Sequence, residues 1–181
     1  MSKHKVYLLL GGNIGNRIQC LEQAKIEIEN RIGAIVEASS YYESEPWGFT
    51  DEKPFINQVI LVETPYQAFE ILELNQAIEK ELGRLRKKTQ YTSRNIDIDI
   101  LFFENMIVYE QGLIIPHSQL HKRRFTLLPL AEIAGNFIHP IYKKSINAIL
   151  ENCDDSLSVR KITAIQEEAS QMEDLNEVTV S

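Results

Sequence analysis

The stretch RNIDIDILFF, residues 94–103, places two carboxylates one residue apart in an otherwise apolar run. Alternate residues of a strand share a face, so Asp97 and Asp99 point to one side and the isoleucines that alternate with them point to the other. Taking a carboxylate out of water without a partner costs on the order of several kcal/mol. The stretch therefore predicts a strand with one apolar face and a second face on which two carboxylates need a partner.

The partner that suits two adjacent carboxylates is a hard divalent cation with oxygen ligands, typically Mg²⁺. Two carboxylates can also hold two metal ions ~3.5–4 Å apart, the arrangement that clamps a phosphoryl group. Cationic residues come just before the strand, in the basic loop 84–93 and at Arg94. Metal ligands beside phosphate-binding cations favour a nucleotide site. The alternative is an ordinary half-exposed strand with solvated acids.

Hydrophobic patterns on the N-terminal side of this strand predict three further strands and two helices. Apolar spacings of three and four predict one helix with a buried face from Ile14 to Ile32, and a second helix that ends at Gly83. The second helix is expected to start at Thr64 as N-cap, with Pro65 at its first position. The predicted strands cover residues 6–10, 34–44 and 55–64, with a loop over 45–54.

This order of elements (strand, helix, strand, strand, helix, strand) predicts an α+β fold. We expect a ferredoxin-like antiparallel sheet with packed helices, in a three-layer α/β/α sandwich. The motif GGNIGNR, residues 11–17, lacks the G-x-G-x-x-G spacing of a dinucleotide site and is interpreted as a tight turn from strand to helix. No GxxxxGK[ST] run occurs, which excludes a P-loop.

The charge of the chain is unevenly distributed. Of the net charge of −7, residues 151–181 contribute eight acidic and two basic side chains, so the rest of the chain is nearly neutral. A nearly neutral body argues against a nucleic-acid partner. We expect a domain over residues 1–153 and an acidic C-terminal tail over 154–181. Removal of residues 155–181 should then leave activity and thermal stability nearly unchanged.

Other general features indicate a cytoplasmic protein. Hydrophobic residues make up 44% of the chain, but no apolar run reaches the roughly 18 residues of a membrane-spanning helix. The first residues resemble an initial strand more than a signal peptide. Cys20 and Cys153 are far apart without metal-type spacing, as expected for reduced thiols.

Six motifs, in order, resemble the 6-hydroxymethyl-7,8-dihydropterin pyrophosphokinases of folate biosynthesis. The resemblance extends from about residue 5 to residue 150, and its most specific part is the segment R-x-x-D-x-D-I followed by PH and R-x-F. The motifs are GGNIGNR, SEPWGF, FINQVI, ELGRLR, SRNIDIDILFF and IPHSQLHKRRFTLLPLAEIA.

The resemblance implies a set of residues on the ATP side of the site. Asp97 and Asp99 match two Mg²⁺ ligands that bridge the phosphates, and His117 matches a histidine that contacts the triphosphate. Gln76 and Glu79 match positions where the second helix borders the nucleotide. The remaining matches are phosphate-side cations and one aromatic residue of a basic loop that closes over the nucleotide: Arg84, Arg86, Lys87, Tyr91, Arg94 and Arg123.

The resemblance also implies a pterin pocket. Phe55 and Phe125 match two aromatic residues that sandwich the ring, and stacking contributes ~1 kcal/mol per face beyond the buried area. Asn57 shares a strand face with Phe55, and its amide offers a donor and an acceptor to the pyrimidinone edge of a pterin. The remaining matches lie in a recognition loop: Ser44, Glu45 and Trp47.

The implied activity transfers the β,γ-pyrophosphoryl group of ATP to the hydroxymethyl group of the pterin and releases AMP. Two Mg²⁺ ions are the expected cofactors, and Arg84, Arg94 and His117 are expected to stabilise charge on the reacting oxygens. The hydroxyl proton is accepted either by Asp97 or through activation by a metal ion.

Two other functions remain open on the sequence alone: a two-metal phosphodiesterase or nuclease, and a non-enzymatic nucleotide-binding module. The expected partners are small molecules, with no nucleic acid and no membrane. We expect a monomer, with a homodimer as the alternative.

Overall fold

The structure is a computed structural model, and it describes residues 3–46, 53–83 and 96–179. Its strands are β1 (His4–Gly12), β2 (Ala34–Ala38), β3 (Tyr41–Ser44), β4 (Phe55–Thr64), β5 (Asp97–Phe103), β6 (Val108–Glu110), β7 (Leu113–Ile115) and β8 (Val159–Ile162). Its α-helices are α1 (Arg17–Arg31), α2 (Ala68–Gly83), α3 (Arg124–Ala134), α4 (Ile146–Glu151) and α5 (Ala164–Thr179). A short 3₁₀ helix, Leu120–Lys122, precedes α3.

The main sheet has the strand order β5-β1-β4-β3-β8, and β2 pairs with β4 on the same side as β3. Every pairing in this sheet is antiparallel. The strands predicted from sequence therefore form the expected ferredoxin-like arrangement, with β1 between β4 and β5. The single strand predicted over 34–44 is in fact two strands, β2 and β3. Strands β6 and β7 form a separate hairpin.

The sheet separates two hydrophobic cores, which confirms the three-layer prediction. The first core lies against α1 and α2 and includes Leu8, Leu21, Ile28, Ile60, Ile71, Ile78 and Ile98. The second lies against α3 and α4 and includes Leu9, Val59, Phe102, Leu127, Leu130 and Ile146. The face that a strand residue occupies decides which of the two cores its side chain borders.

The two predicted helices are confirmed, but the second begins at Ala68, three residues later than the expected first position, Pro65. Asn16 caps α1 by accepting a hydrogen bond from the Gln19 N–H (2.9 Å). Thr64 does not cap α2. It ends β4, where its hydroxyl donates to the Ile32 carbonyl (2.7 Å). Strand pairing at Thr64 outweighs the local capping signal, and α2 begins at Ala68.

The first two glycines of GGNIGNR lie in a strand, not in the predicted turn. Gly11 and Gly12 are the last residues of β1 and pair with Asn57 and Ile56 of β4. The turn is the shorter segment that follows, and α1 begins at Arg17. A glycine pair indicates a turn only where no neighbouring strand continues alongside it. Here β4 continues alongside and pairs with both glycines.

Strand β8 and the first turn of α5 pack on the domain. Strand β8 extends the sheet by pairing with β3, and Ile162 joins the first core. Glu167 of α5 is 2% exposed. The expectation that residues 155–181 can be removed without loss of stability is therefore wrong, because their removal would take an edge strand and a buried carboxylate with it.

Within the described residues, none of the helices is both long enough and apolar enough to cross a membrane.

Candidate active site

The site forms along one cross-strand row on the face of the sheet that carries the second core. Asp97 of β5 pairs with Gly11 of β1, and Gly11 pairs on its other side with Asn57 of β4. Neighbouring strands lie ~4.8 Å apart, so the aspartate and the asparagine are ~10 Å from each other with only a glycine between them. The floor between the side chains of Asp97 and Asn57 is therefore open.

The two aspartates share this face as the sequence predicts. Asp99 pairs with Leu9, a residue of the second core, whereas Ile98 and Ile100 are buried in the first core. Both aspartates are half-buried. Their carboxylates thus lie at the edge of a core but within reach of solvent and ligand.

The register of β5 against β1 shifts just after the aspartates. Leu8 pairs with Ile100 and Tyr7 with Phe102, so Leu101 is the extra residue of a bulge. The Leu101 carbonyl accepts a hydrogen bond from the His117 N–H (3.0 Å). This bond brings the segment after β7 against β5 and places His117 beside the aspartate pair.

The surroundings of His117 favour the neutral form of its imidazole. Burial lowers the pKa of His117, the Asp99 carboxylate opposes that shift, and the Arg123 guanidinium lowers the pKa further. Its Nδ1 accepts a hydrogen bond from the Gln119 N–H (3.2 Å), from which we infer that the proton is on Nε2. A neutral imidazole in this tautomer is a hydrogen-bond donor.

Arg123 adds a cation to the same neighbourhood. Burial lowers the pKa of its guanidinium, and the Asp99 carboxylate raises it. The guanidinium carbon lies 5.7 Å from the centre of the Phe125 ring. The start of α3 therefore places the phosphate-side cation next to the aromatic residue predicted for the pterin side.

Helix α2 holds the backbone of β5 between the two aspartates. The Ile98 N–H donates to Glu79 Oε1 (2.6 Å), and Asn75 Nδ2 donates to the Ile98 carbonyl (3.4 Å). Because β5 is an edge strand, these two side chains occupy backbone groups that a further strand would otherwise bind. Gln76 of the same helix is exposed.

The residues predicted for the pterin lie at the facing ends of β3 and β4. Asn57 Nδ2 donates to Ser44 Oγ (2.9 Å), and both residues are 3% exposed. Phe55, which pairs with Ser44, and Phe125 of α3 are half-buried, whereas Glu45 is exposed. Helix α3 packs against β3 and β4, so the two phenylalanines belong to facing layers.

Several predicted site residues lie outside the described residues, and they remain predictions. They are Trp47, Arg84, Arg86, Lys87, Tyr91 and Arg94.

Between residues 3–46, 53–83 and 96–179, no group of three or more histidine, cysteine or acidic side chains assembles to hold a metal ion. Two aspartates without a protein cage suit Mg²⁺, which is usually bound by one or two carboxylates together with phosphate oxygens and water.

A family model described as 7,8-dihydro-6-hydroxymethylpterin-pyrophosphokinase (HPPK) matches residues 7–135, which include the aspartates, His117 and both phenylalanines. The chain belongs to the HPPK family.

Two curated HPPK relatives are of similar length to this chain. A pyrophosphokinase of Porphyromonas gingivalis is 40% identical over 138 residues, covering 75% of this chain and 93% of the relative. One of Bacillus subtilis is 41% identical over 128 residues, covering 70% and 76%. Both are named 2-amino-4-hydroxy-6-hydroxymethyldihydropteridine pyrophosphokinase.

Solved structures confirm the HPPK fold. The HPPK-DHPS triple mutant of Plasmodium falciparum superposes with a TM-score of 0.70 at 17% identity and covers 83% of this chain. The chain spans less than half of that longer protein, 43% of its length.

Two residues that the structure brings beside the predicted site were not singled out by sequence reasoning. Gly11 had a signal in GGNIGNR, but the motif was interpreted as a turn. Asn75 lies inside the predicted second helix, where no local pattern shows that its amide binds the Ile98 carbonyl.

Proposed function

We propose that this chain transfers the pyrophosphoryl group of ATP to the hydroxymethyl group of 6-hydroxymethyl-7,8-dihydropterin, in folate biosynthesis. The products are the pterin diphosphate and AMP. The observation that carries the proposal is the row of Asp97, Gly11 and Asn57 across three strands. It aligns a phosphate-side carboxylate with a pterin-side amide over an open floor.

Asp97 and Asp99 would hold Mg²⁺, with two ions expected. Bound there, Mg²⁺ would neutralise the phosphate chain and orient the β-phosphorus. The contribution of the protein is to fix both carboxylates on one face. Pairing with Leu9 and Gly11 fixes β5 on one side, and the Glu79 carboxylate fixes it on the other.

His117 would donate a hydrogen bond from Nε2 to a phosphate oxygen. A neutral donor suits this position because Arg123 already supplies a positive charge nearby. The donor is oriented before the substrate arrives, since the Gln119 N–H fixes its tautomer and the Leu101 carbonyl fixes its backbone. Such pre-oriented donors stabilise charge that develops on transferred oxygens.

Asn57 would recognise the polar edge of the pterin. One amide hydrogen is committed to Ser44 Oγ, so the amide orientation is set, and Oδ1 and the second hydrogen are offered to the ligand. Phe55 and Phe125 would stack on the two faces of the ring. Ser44 acts as the orienting partner, and Glu45 and Trp47 belong to the adjoining segment.

The proposal is tested by changing the carboxylates. Asp97→Asn and Asp99→Asn should each reduce kcat by more than a hundredfold, since each removes a formal charge at the metal site. Turnover is measured with ATP and Mg²⁺, with and without the pterin alcohol. Glu110→Gln, an exposed carboxylate on β6, is the control and should keep wild-type turnover.

The two rival functions give different results in the same assay. A phosphodiesterase would consume ATP without the pterin alcohol. A binding module would retain nucleotide affinity, measured by calorimetry, in the double variant Asp97→Asn/Asp99→Asn and would show no turnover in the wild type. Turnover within tenfold of wild type in both single variants would contradict the metal assignment. We expect a cytoplasmic monomer.

A further inference from the structure

The C-terminal segment contacts the part of the domain next to the proposed pterin residues. These contacts centre on Arg17, which is 8% exposed. Arg17 Nε donates to Glu167 Oε1 (2.9 Å), and its Nη2 donates to the other Glu167 oxygen. The Arg17 backbone N–H also points to Glu167 Oε1 (3.3 Å). This is a buried, bidentate ion pair between the first residue of α1 and a helix 150 residues later.

The same guanidinium binds Glu43 in β3 and Pro54 immediately before β4. Nη2 donates to Glu43 Oε2 (2.8 Å), directly before Ser44. Nη1 donates to the Pro54 carbonyl (2.7 Å), directly before Phe55. Arg17 therefore joins the two strand ends that carry the proposed pterin residues, and Glu167 holds Arg17 in place.

The Arg17 guanidinium keeps its charge although it is buried, and two carboxylates bind it there. Burial alone would lower the pKa of the Arg17 guanidinium, but the carboxylates of Glu167 and Glu43 outweigh burial and raise it. A buried guanidinium that loses one carboxylate partner is costly to keep in place, so it would move toward water. Its hold on Glu43 and Pro54 would then loosen.

Other contacts of the C-terminal segment act on the same region. Val159 of β8 pairs with Ser44, and the Glu45 N–H points to the Ser158 carbonyl (3.4 Å). Asp155 Oδ2 accepts from the Arg124 N–H (2.9 Å), so it caps the free N-terminus of α3. That helix begins beside Arg123 and Phe125, and the segment thus supports both facing layers of the pocket.

We propose that residues 155–171 are a positioning element of the pterin pocket, and that Glu167 acts on it through Arg17. This inference rests on the proposed function. The family model ends at residue 135, so the element lies beyond the matched region. Glu167 touches no substrate in this account. It fixes the arginine that binds Glu43 and the Pro54 carbonyl, and so holds the paired strand ends that carry Ser44 and Phe55.

The experiment compares Glu167→Gln with Glu168→Gln in the full-length chain. Glu167→Gln keeps the shape but removes the charge and one acceptor. We expect KM for the pterin alcohol to rise about three- to tenfold, with KM for ATP and kcat within twofold of wild type. Glu168 is exposed on the next position of α5, and its variant should match the wild type in all three constants.

A second variant covers the case in which Glu167→Gln folds poorly. Glu167→Asp keeps the charge with a shorter reach, and it should give a smaller rise in KM for the pterin alcohol at nearly wild-type melting temperature. A fall in melting temperature with both KM values unchanged would show a purely structural ion pair and overturn the proposal.

Failure of the proposed function gives a different result. A wild-type chain that makes no pterin diphosphate contradicts the transferase assignment, and the variants are then compared by calorimetric binding of the pterin alcohol. If Glu167→Gln and the wild type bind the pterin alcohol with equal affinity, the calorimetry also overturns the positioning role.

Discussion

Gly11 shows how a single missing side chain can shape a site. A Cβ atom built there would lie 3.1 Å from Asn57 Oδ1 and 3.9 Å from the Ile56 carbonyl. The first distance is closer than ordinary van der Waals contact, so the Asn57 amide would have to shift by a few tenths of an ångström. The amide that is proposed to recognise the pterin thus depends on glycine in the next strand.

We predict that Gly11→Ala raises KM for the pterin alcohol about three- to tenfold, on the order of 1 kcal/mol, the size of one hydrogen bond. The melting temperature should stay within about 2 °C of wild type. Gly33→Ala is the contrasting variant. Its Cβ would lie 2.1 Å from the Glu63 carbonyl, so it should lose stability and not pterin affinity. An unchanged KM for the pterin alcohol in Gly11→Ala would contradict the role proposed for the row of Asp97, Gly11 and Asn57.

At the scale of elements, α2 provides hydrogen-bond partners for the open side of the edge strand β5. Asn75 and Glu79, one helical turn apart, bind the carbonyl and the N–H of Ile98. Ile98 lies between the two aspartates, so any looseness at this residue moves both carboxylates. The Glu79 carboxylate therefore has a role in the protein itself, beside the nucleotide contact that the family resemblance implies.

We predict that Glu79→Ala shifts the Mg²⁺ activation curve to about three- to tenfold higher concentration, because the Ile98 N–H loses its acceptor. Glu79→Gln keeps an acceptor oxygen and should restore most of the wild-type curve. Glu73→Ala, an exposed position on the same helix, is the control. If Glu79→Gln is as impaired as Glu79→Ala, the charge of Glu79 acts on the ligand directly and the positioning role is wrong.

The same elements show which features of the fold and the site could be predicted from the sequence. The period-two pattern of residues 96–100 predicted both the strand and the shared face of Asp97 and Asp99, because side-chain alternation is a local property. The fold class followed from the order of elements along the chain. The bond between Glu79 and Ile98, the pairing of Gly11 with Asn57 and the contact of Arg17 with Glu167 join distant segments. No local pattern specifies such contacts.

For the whole molecule, residues 155–167 of the acidic C-terminal segment are part of the folded domain despite their composition. The negative charge of the segment suggested a solvated tail, but one of its carboxylates is buried against Arg17 and another caps α3. Net charge describes how a segment interacts with solvent on average, whereas packing depends on single residues such as Ile162 and Glu167.

We predict that deletion of residues 155–181 lowers the melting temperature by more than about 5 °C, which corresponds to a loss of ~2 kcal/mol or more for a chain of this size. Loss of Ile162 burial contributes ~1.5–3 kcal/mol, and removal of Glu167 leaves Arg17 short of a buried partner. Deletion of residues 173–181 keeps both and should have a clearly smaller effect. Equal melting temperatures for the long deletion and the wild type, measured by calorimetry, would contradict the packing described here.

The central claim for the molecule concerns which phosphorus is attacked. An ordinary kinase transfers the γ-phosphoryl group and releases ADP. Here two cationic segments, the predicted basic loop 84–94 and the segment with His117 and Arg123, come from different parts of the chain. They are expected to flank the triphosphate, with the carboxylates of Asp97 and Asp99 between them.

The most direct measurement is the chromatography of all products after incubation with ATP, Mg²⁺ and 6-hydroxymethyl-7,8-dihydropterin. Attack at the β-phosphorus predicts AMP and a pterin diphosphate in equal amounts, and neither product when the pterin alcohol is left out. ADP together with a pterin monophosphate, or free pyrophosphate without consumption of the pterin, would contradict the account.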